Sequence, residues 1–334
     1  MNTTDFAKYA GALIALAMCS ACGGSSVAPS SAALDGGYTA RAFSVNGRLV
    51  TAAHANLSAL PGYPTMVPSR HAKSKTFEYI TYDTKAGIFD YPKSDREIGT
   101  IANAGGGQEC TNVLYGYGKE TFWIVAGADQ IAEYNVRKKP IKTLSVTVGN
   151  PSSCAMDTSG DLAVGILNGS GAGDIVIFPH ASGSGTVYTT PLLEEYFDGY
   201  DNQGNLFADG FNDSGFELVE LPKGSTKFQT IATSNTVEFP GSVQWDGRYL
   251  TVTDQETNAM YQYTVSGTKA TLEGTVSLSG SSDCAQTWIA TGVVFCADAG
   301  TNGAEVFKYP AGGSAIAVLT GNFGLPLGVV AAEK

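Results

Sequence analysis

Histidine is nearly missing from this sequence, with three in 334 residues. His54 and His71 fall in a Ser/Ala/Gly/Pro-rich stretch and His180 in a turn, so a catalytic relay and a histidine metal centre both lack their parts. No Gly-x-Ser-x-Gly occurs, which removes the nucleophile elbow of the α/β-hydrolases. Beyond residue 75 there is no Cys-x-x-Cys to hold zinc. Charge is also scarce, at 15% of residues, and it leans acidic: 20 basic against 31 acidic side chains give −11. Such a surface repels phosphate backbones, and Arg137-Lys138-Lys139, the densest basic cluster, is short enough to be a solvated turn, so nucleic acid is excluded as a partner. The longest leading apolar run, residues 9–18, is too short to span a bilayer.

What the sequence does have is 41 Gly, 16 Tyr, 15 Phe and 3 Trp, the composition of many short strands joined by tight turns. Lys8 followed by the apolar run of residues 9–18 suits a signal-peptide core. Cys19-Ser20-Ala21-Cys22-Gly23-Gly24-Ser25-Ser26 then resembles a bacterial lipoprotein cleavage site. Ala21 is the small residue at the cut, Cys22 the lipidated residue, and the Gly/Ser run a flexible tether. A plain secretory signal is the alternative. Gly23 stands where an aspartate would resemble an inner-membrane retention signal, which leans toward an outer membrane. Removing residues 1–21 deletes Asp5 and Lys8 together and leaves the net charge unchanged. Residues 22–75 read as a spacer or cap, with one strand pair around Tyr38 to Leu49.

From residue 76 a pattern recurs in which an alternating strand ends in an aromatic or Leu, often followed by Pro. Ile88-Phe89-Asp90-Tyr91-Pro92, Val176-Ile177-Phe178-Pro179 and Val306-Phe307-Lys308-Tyr309-Pro310 are examples. The anchors Tyr91, Tyr134, Phe178, Leu221, Tyr263 and Tyr309 are spaced by 43, 44, 43, 42 and 46 residues. In phase with them run hairpin turns such as Asp157-Thr158-Ser159-Gly160, Asp201-Asn202-Gln203-Gly204 and Asp246-Gly247. Four strands per unit and a period in the low forties describe a propeller blade. The prediction is an all-β, six-bladed β-propeller of four-stranded antiparallel blades over residues 76–334. The first unit lacks an opening segment, and Leu327-Gly328-Val329-Val330-Ala331-Ala332 supplies one, so the C-terminal strand should join the first blade. The rhythm resembles NHL-repeat-like propellers. Trp245-Asp246 occurs once and is not a WD repeat.

Four cysteines fall in the repeat region. Cys284 and Cys296 flank the first hairpin of the last unit and are expected to bridge across adjacent strands. Cys110 and Cys154 lie one period apart, at equivalent positions of neighbouring blades, and either pair or remain buried thiols.

Aligning units by their first turns puts Cys110, Cys154, Asp198, Val243, Ala285 and Gly328 in one channel column. Thr111, Ala155, Gly199, Gln244, Gln286 and Val329 form the next. The channel-binding candidates are Asp198, Gln244, Asp283 and Gln286, with Glu109 and Asn112 nearby. Asp83, Asp209, Asp254 and Asp298 recur after the second strand as turn caps. Gly169-Ser170-Gly171-Ala172-Gly173-Asp174 joins two strands and is a rim loop, not a phosphate loop. The expected function is a non-catalytic extracytoplasmic scaffold, membrane-anchored and monomeric, with no cofactor or metal, binding a protein, peptide or glycan. The alternative is a calcium-dependent, lactonase-like hydrolase with its ion at the four candidates. A purely structural envelope lipoprotein is a third reading.

Overall fold

The computed structural model describes residues 76–127, 129–167 and 173–334. The export segment, Cys22, the spacer with His54 and His71, and residues 168–172 of the glycine-rich loop lie outside them. Among the described residues the regular secondary structure is all strand apart from one 3-10 turn at Pro179–Ala181. No helix there is long and apolar enough to cross a membrane.

The strands form small antiparallel sheets in chain order. Thr76–Tyr82, Lys85–Phe89 and Glu97–Ala102 make the first, and Pro326–Glu333 lies on the free side of Thr76–Tyr82. The C-terminal strand pairs Phe77 with Ala332, Tyr79 with Val330 and Thr81 with Gly328, so the end of the chain completes the sheet that opens the repeat. Next come Glu109–Thr111 with Thr121–Gly127, Gln130–Asn135 and Pro140–Ser145, then Asn150–Met156 with Leu162–Leu167, Asp174–Phe178 and Thr186–Thr189. Two further antiparallel runs of four follow, Glu194–Tyr200 to Gln229–Thr233 and Pro240–Trp245 to Lys269–Ser279. Cys284–Ala290, Val293–Asp298, Gly303–Lys308 and Ala317–Leu319 form the last sheet.

The opening strands touch in a closed cycle. Pro326–Glu333 contacts Glu109–Thr111, and the contacts then pass through Asn150–Met156, Glu194–Tyr200, Pro240–Trp245 and Cys284–Ala290 back to Pro326–Glu333. This is a propeller-like arrangement, and it explains the burial pattern. Val293–Asp298 is buried at all six positions because neighbouring sheets cover both its faces, as in any sheet sandwiched on two sides. Each fully buried Val or Phe there contributes on the order of 1.5–3 kcal/mol. The outer Pro140–Ser145 leaves most positions exposed.

The sheets are less separate than the repeat predicts. Ala232 and Thr233 pair in parallel with Lys269 and Ala270 and merge two runs of four into one sheet, to which Gly313–Ser314 adds a ninth strand. Gly118–Lys119 likewise adds to the outer side of Ala332 and Glu333. In both places a long hairpin end reaches an unpaired strand edge and satisfies its backbone groups.

Both disulfides form. Cys284–Cys296 spans one hairpin with Cα atoms 5.4 Å apart. Cys110–Cys154 joins the opening strands of neighbouring sheets at 5.7 Å, and the register shows how. Counting back two residues from anchors Tyr134 and Phe178 gives Ala132 and Val176, which pair with Ile124 and Val164. Those in turn pair with Glu109 and Cys154. Glu109, not Cys110, is therefore the equivalent of Cys154, which corrects the column aligned by first turns. The one-residue offset sends the two cysteine side chains to opposite faces of their strands, toward each other across the gap.

Candidate functional site

The opening strands are stitched together around the axis by side-chain amides. Gln286 Nε2 donates to the Glu109 carbonyl at 2.7 Å, and its Oε1 accepts from the Glu109 and Val329 amides, each at 2.9 Å. Gln244 Oε1 accepts from Ile289 N–H at 2.9 Å. Gln108 reaches the Tyr196 carbonyl at 3.0 Å. Gly199 permits a close approach between two opening strands: a β-carbon there would stand 2.2 Å from the Val243 carbonyl oxygen.

One mouth of the axis is crossed by residues 112–117, which connect Thr111 to Gly118. Asn112 closes their base through its two bonds with Lys119. Their tip lands far from its own sheet: the Leu114 carbonyl accepts from Gln244 Nε2 at 3.0 Å, Gly116 N–H donates to the Ile289 carbonyl at 2.8 Å, and Trp288 Nε1 donates to the Gly116 carbonyl at 2.7 Å. Tyr115 lies against Gly247 and is still 48% exposed. The segment is a strap from the second sheet to the last two.

Beneath the strap is a small cavity, partly open to solvent. Glu109, Asp198, Gln244 and Gln286 line it, as do Tyr200, Trp245, Trp288 and the Cys110–Cys154 bridge. Asp198 is 6% exposed, and neither carboxylate oxygen makes a well-formed hydrogen bond. Burial pushes its pKa well up, the neighbouring Glu195 raises it further, and the Ser153 hydroxyl works against both. That hydroxyl donates to Glu195 Oε1 at 2.8 Å, and Ser152 donates to Oε2 at 2.5 Å. Burial still raises Glu195 to about 7. Glycine at 165 makes room for that carboxylate, since a β-carbon would lie 2.0 Å from Oε2. Buried Asp209 is raised by desolvation and by Glu195. Glu109, also raised by burial, acts electrostatically on Tyr79 of the first sheet.

Of the four channel candidates, the structure brings Asp198, Gln244 and Gln286 to the cavity. Asp283 is outside the lining, beside Asp298 and Glu256, raised to about 8 by burial and then by Asp298. Calcium requires six to eight oxygens. Both glutamine oxygens already accept backbone amides, so the four do not form one ligand sphere. Among the described residues, the group of acidic and sulfur side chains close enough to share an ion is Cys296, Asp298 and Glu305, and Cys296 is bonded to Cys284. Asp254 accepts from the amides of Glu238, Phe239, Glu256 and Thr257, and Asp298 from those of Ser282, Asp283, Gly300 and Thr301. These two are turn caps as expected. Asp209 departs from the set, with neither oxygen in a well-formed hydrogen bond.

Sequence reasoning missed the strap and the Glu195–Asp198–Asp209 grouping. The signal for the strap was the long connection between Thr111 and Gly118, where other units turn within a few residues, as at Asp157–Gly160, Asp201–Gly204 and Asp246-Gly247.

No protein-family model matches the chain, and no curated protein does. Solved structures do. A chain of the structure titled "Crystal structure of Nidogen/Laminin Complex" superposes with a TM-score of 0.60 at 11% identity, covering 77% of this chain and 98% of that one. "Streptogramin B lyase structure" gives 0.45 at 14% identity, covering 70% of each. The first likeness and the cyclic sheet arrangement support a β-propeller.

Proposed function

We propose that the chain is a lipid-anchored, six-bladed propeller of the bacterial envelope that acts as a non-catalytic binding scaffold. Each opening strand in the closed cycle is counted as the start of one blade, and the anchor spacing supports that count. The likeness to NHL-type propellers rests on the same rhythm. Anchoring through Cys22, residues 22–75 as spacer, a monomeric state and an outer-membrane location follow from the sequence reading. Two disulfides fit an oxidising compartment.

The observation that carries the binding reading is the strap-covered cavity, lined by aromatics, with no histidine or lysine among its lining residues to activate a nucleophile. A protein, peptide or glycan would engage this mouth, since rim loops on a rigid ring carry recognition. The calcium-dependent hydrolase has less support, because Gln244 and Gln286 are occupied in stitching strands and Asp283 is elsewhere. Capture from detergent-solubilised envelope tests the scaffold. Trp245→Ala should lower recovery of the specific partner at least tenfold by quantitative mass spectrometry, and equal capture by both chains would remove the cavity mouth as the binding face.

A further inference from the structure

We infer that the cavity beneath the strap is a seat for an ammonium or guanidinium group on an otherwise apolar ligand, such as an amine or a Lys or Arg side chain, and that the strap must release to admit it. This rests on the binding reading above and names the chemistry of its ligand.

Asp198 is the anchor. Its carboxylate lines the cavity, is more than nine-tenths buried, and has neither oxygen in a well-formed hydrogen bond. The Ser153 hydroxyl beside it is directed to Glu195. Its charged neighbours, Glu195 and Asp209, carry the same sign, and no Lys or Arg is among the lining residues. A buried carboxylate among carboxylates is stabilised most by an incoming cation, which pays back its desolvation and relieves the repulsion. The walls suit such a group, because Tyr200, Trp245 and Trp288 offer aromatic faces, and ring faces attract cations. Tyr200 is within electrostatic reach of Asp198, which helps to raise its own pKa. Burial holds the Asp198 of the empty site toward its protonated form, so an incoming cation binds with release of that proton, a neutral ligand leaves the acid protonated, and a carboxylate or phosphate opposes its ionisation.

The strap explains why this acid is sealed. Its tip is held by the Gln244, Ile289 and Trp288 bonds, and two of those partners, Gln244 and Trp288, also line the cavity. A group entering there competes with the contacts that keep the mouth shut. Loss of the Trp288 indole bond should therefore speed entry.

The test uses the intact chain and tryptophan fluorescence, since two of the three tryptophans line the cavity. Three probes of one shape are titrated: 2-phenylethylammonium, 2-phenylethanol and 3-phenylpropanoate. The ammonium should bind at least tenfold more tightly than either other probe. Asp198→Asn should erase that preference, and Trp288→Phe, which keeps a ring but loses the strap bond, should raise the association rate. A capped Lys peptide tested against its acetyl-lysine form then separates a side-chain source from a free amine. Equal binding of all three probes would overturn the cationic preference and leave the seat standing. Binding of none, to the wild type or to Trp288→Phe, would overturn the inference without touching the partner-capture result. An unchanged rate in Trp288→Phe, with the preference present, would overturn the gating role of the strap.

Discussion

The folded chain should be more stable at pH 5.5 than at pH 8.5, the reverse of a protein held together by ionised carboxylates. Burial raises Glu195 to about 7 and Asp283 and Glu305 to about 8, with Asp298 raising the latter two further. Glu78, Glu109, Asp198 and Asp209 are raised well above the ordinary range by the same desolvation. An acid whose folded pKa exceeds its unfolded value binds its proton more tightly in the native state. Its contribution is full below the unfolded value, near 4, and is lost as pH rises through the folded one. Each such group lowers stability by about 1.4 kcal/mol per pH unit within that window. Urea midpoints should therefore fall steadily between pH 5.5 and 8.5. Glu305→Gln imitates the protonated acid and should restore on the order of 2–4 kcal/mol at pH 8.5 while changing little at pH 5.5. A midpoint that rises with pH, or a Gln variant with an unaltered profile, would contradict the burial of these acids.

The second large effect is expected from the disulfide between sheets. Cys110–Cys154 closes a sequence separation of 44 residues, and Cys284–Cys296 closes 12. On the loop-entropy model these constrain the unfolded chain by about 4 and about 3 kcal/mol. Replacing the first pair by serines should therefore cost more than replacing the second. It should also alter ligand affinity, because Cys110 and Cys154 line the cavity and the second pair does not. A smaller loss for the first pair would mean that the opening strands are held in place without their staple.

Much of this architecture was legible because the anchors report strand ends directly. The spacing of Tyr91, Tyr134, Phe178, Leu221, Tyr263 and Tyr309 fixes the repeat, and the orphan segment ending in Ala331 and Ala332 points to the closing strand. The register of Glu109–Thr111 was not legible in the same way. Its unit replaces the tight first turn by the strap, so alignment on turns slips by one residue and exchanges Glu109 with Cys110. The destination of the strap is a tertiary fact, set by Trp288, Gln244 and Ile289 more than 120 positions away. Asp198 stands among the channel candidates, but its grouping with Glu195 does not follow from a period of two, since three positions separate them and the strand register shifts between Glu195 and Phe197. In a ring both faces of an inner strand are covered, and polar residues there are buried whatever the pattern says.

Closure of the ring is tested most directly by hydrogen exchange at residues 77–81 and 328–332 of the intact chain, with residues 77–81 compared in a chain ending at residue 325. In the intact chain these amides should be among the slowest, opening only with global unfolding, and the truncation should remove protection across the whole first sheet. Exchange at residues 328–332 as fast as in the outer strand Pro140–Ser145, or a truncated chain with its first sheet still protected, would contradict a ring closed by its C-terminal strand.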